Sequence, residues 1–470
     1  MGHERSDCDS LADPVYYSSA RAMASAIARR DISSEELVRA CLKRIETVNG
    51  ALNAVVQIAA DEAIARAREA DAAMARGEMW GPLHGVPMTI KDSLDTAGMV
   101  TTGGTKGRAS FVPERDATVV ARLRSAGAIL LGKTNTPELT LSFETDNLVY
   151  GRTNNPYDLS RTPGGSSGGA AAIVAAGGVP FDIGSDYGGS IRLPAHFCGI
   201  AGIKPSAGRV PRTGHIYPFG GLQDSFQQIG PLARYVDDLS LVLPLIAGPD
   251  WIDPGVTPLP WHEPREVDLA SLRVSFHTDN GVMTPTVETI RTSEAVAKVL
   301  SSTVRSVDEV RPPGVEASFD LCLALYSWDG GAAVSRMLRE AGTTEHTLQR
   351  STSAKPISAV QLDQLIARWY GFRSQMHSFI QQYDAIVCPV NAGPALPHGA
   401  IDAPDALAPF SYTMTYNVTG WPGAVVRAGT SPEGLPIGVQ IVTRPGREDA
   451  ALALAKFVET AYGGYQRPAF

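Results

Sequence analysis

Residues Arg161 to Arg192 read R-T-P-G-G-S-S-G-G-A-A-A-I-V-A-A-G-G-V-P-F-D-I-G-S-D-Y-G-G-S-I-R, and the chain is organised around them. Two glycine-flanked serines, Ser166 and Ser190, stand 24 positions apart. Between them, Gly169 to Gly178 is a run of small residues suited to a tightly packed helix. Gly188 and Gly189 leave the backbone around Ser190 bare, so its amides are able to point at a ligand. A hydroxyl presented beside bare amides is what acyl transfer needs, a nucleophile next to oxyanion donors. One Gly-Ser cluster alone reads equally well as a structural turn; two at this spacing read as a site.

Outward from this stretch, the composition narrows the function classes. At 470 residues and 44% hydrophobic content, a large core needs no disulfide or metal staple. A net charge of −8, with no long basic run, argues against nucleic acid as a partner. The five cysteines, Cys8, Cys41, Cys198, Cys322 and Cys388, are scattered without a C-x-x-C pair or zinc spacing, so they read as reduced thiols. No basic-then-apolar leader opens the chain, and no run approaches the roughly 18 apolar residues of a membrane helix. A cytoplasmic monomer or homodimer is expected. Met1–Ser6 formally matches a myristoylation pattern but lacks polybasic support, and reads as chance.

Along the chain, Ser33-Ser-Glu-Glu36 is a capping-box signature ahead of Leu37, Cys41, Ile45 and Val48 at helical spacing. The pattern predicts a helix over 59–76, a strand Val86–Ile90 ending in Lys91-Asp92, and a helix capped by Asp116 that runs to Ser125. Ala128–Leu131 reads as a buried strand, Pro231–Gly248 as a helix, Leu272–Phe276 and Asp384–Pro389 as strands, and Asp449–Ala461 as a closing helix. This rhythm predicts an α/β fold, a large sheet surrounded by helices. One domain over 1–470 is expected, with 16–248 and 384–470 as catalytic core. The segment 249–383 is expected to be a variable, mostly helical insertion acting as pocket wall or lid.

The serine stretch resembles the signature of the amidase signature family of serine hydrolases. Gly81–Asp92, G-P-L-H-G-V-P-M-T-I-K-D, is similar to that family's lysine motif, and Lys91 precedes Ser166 by the family's 75 positions. Asn417–Pro422 and Gly434–Gln440 resemble its C-terminal motifs. The resemblance spans roughly Ser33 to Val458 and thins between Pro249 and Ala392. It implies the amidase-signature fold with a mixed, twisted sheet, Ser190 as nucleophile, Ser166 as relay after a cis Gly165–Ser166 bond, and Lys91 as base. It further implies an oxyanion hole from the amides of Tyr187, Gly188, Gly189 and Ser190, with Ser167 supporting the loop. Neither metal nor cofactor is called for, and an amide or carbamate (urethane) C–N bond would be cleaved through an acyl-enzyme.

The residue chemistry stands beside that resemblance. A lysine serves as base only where burial removes its proton, and Lys91 follows the apolar run Val86–Ile90. Asp186 and Arg192 flank Ser190, and a buried pair between them would fix the turn. Leu141, Phe143 and Leu148 suggest an apolar pocket for an uncharged, aryl-bearing small molecule. Tyr187 departs from the smaller or aliphatic residue usual there, which leaves the pocket's shape open. Leu193 stands where glutaminase-like members carry glutamine, against the amidotransferase reading. Two alternatives stay open. One is a glutaminase-type subunit of an amidotransferase, delivering ammonia with a partner. The other is an α/β-hydrolase-type esterase, with Ser166 as nucleophile of G-G-S-S-G and a histidine from among His277, His346, His377 and His398.

Overall fold

Eleven strands form one sheet in the computed structural model, which describes residues 10–222, 224–403 and 406–469. Cys8 and the Met1–Ser6 pattern lie outside the described residues. The strands are β1 (Val55–Ile58), β2 (Pro87–Lys91), β3 (Ile129–Thr134), β4 (Phe181–Asp186), β5 (Ala201–Lys204) and β6 (Gln228–Ala233), then β7 (Arg273–Phe276), β8 (Ser306–Glu309), β9 (Ala385–Pro389), β10 (Gly423–Thr430) and β11 (Pro436–Thr443). Their order is β1-β3-β2-β4-β6-β5-β10-β11-β9-β7-β8. β2 runs parallel to β3 and β4, and β7 parallel to β8 and β9, while the remaining neighbours are antiparallel. The expected α/β class, with a large mixed sheet surrounded by helices, is what forms.

The central strands are buried along their whole length, so both faces must be covered. One cover is the helix Gly168–Ala175, every residue of which is buried. A helix apolar all round belongs inside a core, and glycine makes that depth reachable. A Cβ on Gly169 would lie 2.4 Å from the Asn135 amide nitrogen, and one on Gly184 of β4 would lie 2.6 Å from Ser167 Oγ. Two buried arginines meet the far end of this helix: Arg44 donates to the Ala176 carbonyl (2.8 Å) and Arg234 to that of Val174 (2.9 Å). Cations suit that end of a helix dipole. The near end, carrying Ser166 and Ser167, is thereby set against the C-terminal end of β4.

The segment 249–383 adds β7 and β8 to one edge of the sheet, and its helices Val315–Ser327 and Ala359–Ile380 pack elsewhere. Leu321, Leu325, Trp369 and Phe372 from those helices join Leu193, Phe197, Phe226 and Trp421 in a second core beside the main one. The four described cysteines are buried and unpaired.

Several local expectations hold and others shift. The capping box is present, with Glu36 N donating to Ser33 Oγ (3.1 Å) and Ser33 N to Glu36 Oε2 (2.8 Å). Asp116 does not cap its helix, which starts at Thr118; its carboxylate instead accepts from Ala97 N (2.8 Å) and Arg124 (3.0 Å). Pro231 lies in β6 and the helix starts only at Val236, because β4 and β5 pair with Gln228–Ala233 from both sides.

Gly169→Ala and Gly371→Ala test the packing. The first forces a methyl into backbone and is expected to destabilise by about 1–3 kcal/mol. The second, on the helix Ala359–Ile380 with nothing within 4 Å, is expected to stabilise by up to about 1 kcal/mol. Thermal unfolding midpoints that move down and up respectively are the expected outcome.

Candidate active site

Lys91 is the last residue of β2, and the parallel pairing of β2 with β4 brings it beside Ser185. Its Nζ lies 2.6 Å from Ser166 Oγ, 3.0 Å from Ser167 Oγ and 3.0 Å from Ser185 Oγ. Three hydroxyls surround the amine, and its exposure is 0%. Burial pushes it down to about 7, with Asp186 and Asp182 pulling it partly back. An amine poised there is able to take and return a proton near neutral pH. Ser166 follows a cis Gly165–Ser166 bond. Ser167 does more than support its loop: its Oγ donates to the Ser185 carbonyl (3.2 Å) and accepts from the Ser185 amide (3.3 Å), leaving one lone pair for Lys91.

Asp182, on β4, is buried and accepts from Thr89 (2.6 Å) and Thr134 (3.0 Å) through Oδ2. Burial raises its carboxyl to about 7.

The turn after β4 carries Ser190, and Asp186 holds it from inside. Asp186 Oδ1 accepts from Gly189 N (2.9 Å), and Oδ2 accepts from Ile191 N (3.1 Å) and Arg192 N (3.3 Å). The Arg192 guanidinium closes a two-pronged pair with the same carboxylate, at 3.0 Å on each prong. Burial alone would raise the Asp186 carboxyl, yet Arg192 holds it well below the usual range. Asn417 donates to Asp186 Oδ1 (2.8 Å) and accepts from Arg192 (2.6 Å), while Gln440 Oε1 accepts from Arg192 (3.1 Å). The Ser167 amide donates to the Ser190 carbonyl (3.2 Å), tying the two serine loops together. Since the Gly189 amide is committed to Asp186, it is not the donor that the four-amide oxyanion hole anticipated.

Aromatic rings gather over this turn. Phe143 stacks on Phe410 at 4.3 Å, and Tyr187 on Tyr326 at 4.6 Å. The Tyr326 hydroxyl donates to the Tyr187 carbonyl (2.6 Å). A Cβ on Gly188 would lie 3.1 Å from Tyr326 Oη and 3.2 Å from a Phe143 ring carbon. Of the three expected pocket residues only Phe143 comes to the turn. Leu148 is 41% exposed, and Leu141 packs against Leu139, Val334 and Met337 in a separate cluster. Tyr326 comes from the weakly patterned middle of the chain, where no motif announces it.

Among the described residues no histidine hydrogen-bonds Ser166 or Ser190. His277 and His398 meet the carbonyls of Asp279 and Leu159 instead. The nucleophile-elbow reading therefore lacks its base.

A family model described as Amidase matches residues 36–452. The chain belongs to the amidase signature family. It is 35% identical to a glutamyl-tRNA(Gln) amidotransferase subunit from Moorella thermoacetica, over 96% of this chain and 98% of that one. Among solved structures it resembles one from a vestigial protein complex tied to the origins of an s-triazine catabolic enzyme, at 29% identity and a TM-score of 0.87, over 96% and 99% of the two chains. It also resembles a bacterial aryl acylamidase, at 26% identity and a TM-score of 0.83, over 95% and 97%. At the coarse level this amidase is a hydrolase of its family's kind.

Asp186→Asn leaves the Arg192 guanidinium buried without its counter-charge. Loss of one partner of such a pair is expected to cost about 3–5 kcal/mol. A clear fall in the thermal unfolding midpoint checks it.

Proposed function

We propose that this amidase cleaves the C–N bond of an uncharged, aryl-bearing amide or carbamate by Ser190–Ser166–Lys91 covalent catalysis. The observation that carries the mechanism is the buried Lys91 amine 2.6 Å from Ser166 Oγ. Ser190 Oγ attacks the carbonyl, giving its proton to Ser166 as Ser166 gives its own to Lys91. The amides of Gly188 and Ser190, with that of Tyr187, face the developing oxyanion. The Lys91 ammonium returns the proton through Ser166 to the leaving nitrogen. Water then cleaves the acyl-enzyme with the same base. Gly165 gives the Ser166 loop its close approach to the backbone of Ser142 and Glu144, and Asp186 and Arg192 hold the nucleophile's turn. The segment 249–383, through Tyr326, serves as pocket wall. The aromatic rings at Gly188 support a flat, apolar acyl or leaving group.

A second reading has its own support. The amidotransferase relative is 35% identical where the aryl acylamidase is 26% identical, which favours a glutaminase-type role with a partner. Asp329 and Arg336, of opposite sign, both act on the Tyr217 phenol beside Tyr187. They would suit a zwitterion such as glutamine. Purified chain given an aryl amide, an aryl carbamate and glutamine separates the two: arylamine release supports the first, while ammonia from glutamine alone replaces it with the second.

The base is tested by pH and by substitution. Only the free amine accepts a proton, so kcat/KM is expected to rise with pH through about 7 and to fall below it. Lys91→Arg keeps the charge but cannot shed its proton. It is expected to be as damaging as Lys91→Ala, with losses of roughly 10²–10⁴-fold. Substantial activity in Lys91→Arg would mean that the base lies elsewhere.

A further inference from the structure

One buried histidine has no part in the scheme above and reaches it through a single hydroxyl. His215 Nε2 lies 3.0 Å from Ser185 Oγ, and Ser185 Oγ lies 3.0 Å from Lys91 Nζ. His215 sits in the loop between β5 and β6, 7% exposed. The Tyr217 backbone amide, which can only donate, points at Nδ1 (3.0 Å). Nδ1 must therefore carry the lone pair and Nε2 the proton, so the ring donates to Ser185. The Gln227 side-chain amide nitrogen lies across the ring edge, 2.6 Å from Nδ1 and 3.2 Å from Nε2, so the tautomer is set by the Tyr217 amide.

We propose that His215 is a positioning residue for the lysine base, acting through Ser185 to aim the lone pair of the Lys91 amine at Ser166. This deepens the covalent mechanism proposed above and rests on it. A neutral amine has two N–H bonds and one lone pair. Ser167 gives its own proton to the Ser185 carbonyl, so Ser167 Oγ accepts one N–H. His215 keeps Ser185 Oγ in place with one lone pair occupied and the other facing Lys91, so Ser185 accepts the second N–H. The lone pair is left for Ser166, the closest of the three hydroxyls. The same contact also limits how well Ser185 solvates an ammonium, which favours the free amine. Without it Ser185 becomes a stronger acceptor and Lys91 holds its proton to higher pH.

The charged surroundings are consistent with this role. Lys91 is faced by Asp182 and Asp186 of β4, which favour its ammonium. His215 is faced by Lys91 and by Arg212 of its own loop, and Arg212 is paired with Asp224 and Asp253. Burial, and then Lys91, push His215 down to about 3. It stays neutral through the working range and neither stores nor relays a proton.

The test reads the reactivity of Ser190 directly, without knowledge of the substrate. Purified full-length protein is treated with a serine-directed fluorophosphonate across pH, and the labelling rate of the Ser190 peptide is followed by mass spectrometry. In the wild type the rate is expected to rise with a midpoint near 7. In His215→Phe the midpoint is expected to move up by roughly half a unit or more, about a threefold loss below it. His215→Gln, whose amide N–H reaches Ser185, is expected to keep the wild-type midpoint. Where His215→Phe does not fold, His215→Asn, too short to reach, takes its place with the same expected shift. An unshifted midpoint in a folded Phe or Asn variant, or a Gln variant shifted as far as Phe, overturns the role of His215 alone. No labelling of Ser190 in the wild type at any pH overturns the covalent mechanism itself, and this inference with it.

Discussion

Everything at the centre of this molecule depends on one carboxylate that never meets solvent. Asp186 collects three backbone amides of the turn, a guanidinium and a side-chain amide within its own hydrogen-bonding shell. A lone buried charge would be ruinous, but Arg192 balances it, and Asn417 and Gln440 satisfy what the pair leaves over. The turn that carries Ser190 is thus shaped by a fixed point beneath it. Loops at enzyme sites are often mobile; this one is bolted to the sheet from below and clasped by Thr413 on the Gly188 carbonyl.

Against that fixed point, Lys91 is held in the opposite electrostatic condition. Asp186 is kept charged by a partner in contact, whereas Lys91 is ringed by hydroxyls and is pushed by burial down to about 7. At adjacent strand ends, an ion-pair contact favours the charged form of one group while burial draws the other toward its neutral form. That contrast separates a structural ion from the proposed base. It follows from β2 and β4 running parallel, since only then do both strand ends open on the same side of the sheet.

Most of this was readable in the residues because the chemistry is concentrated in two short, glycine-punctuated runs. Lys91, Ser166, Ser190, Asp186 and Arg192 each sit in a motif whose spacing is informative, and the structure brings them together. Ser185 and His215 were not legible. Ser185 looks like one more small residue in a strand, and His215 lies in an unpatterned loop 124 residues beyond Lys91; that loop is brought to the site by a bridge between His215 and Leu94 and by Ile216 N donating to the Ser93 carbonyl (2.8 Å). Leu148 was drawn into the pocket by an apolar rhythm over 141–148, but that segment forms no strand, so the rhythm selects no face. Pro231 and Asp116 misled in a common way: local punctuation marks a helix start, and tertiary pairing with β4, or with Arg124, outweighs it.

The brace on Asp186 also joins residues far apart along the chain. The proposed nucleophile is residue 190, yet the side chains that complete its foundation, Asn417 and Gln440, belong to the helix Ser411–Val418 and to β11. On a ribosome the serine, its relay and the lysine all emerge long before those two residues exist. A nascent chain therefore carries these side chains without the frame that arranges them, and the frame closes only once residue 440 has been made.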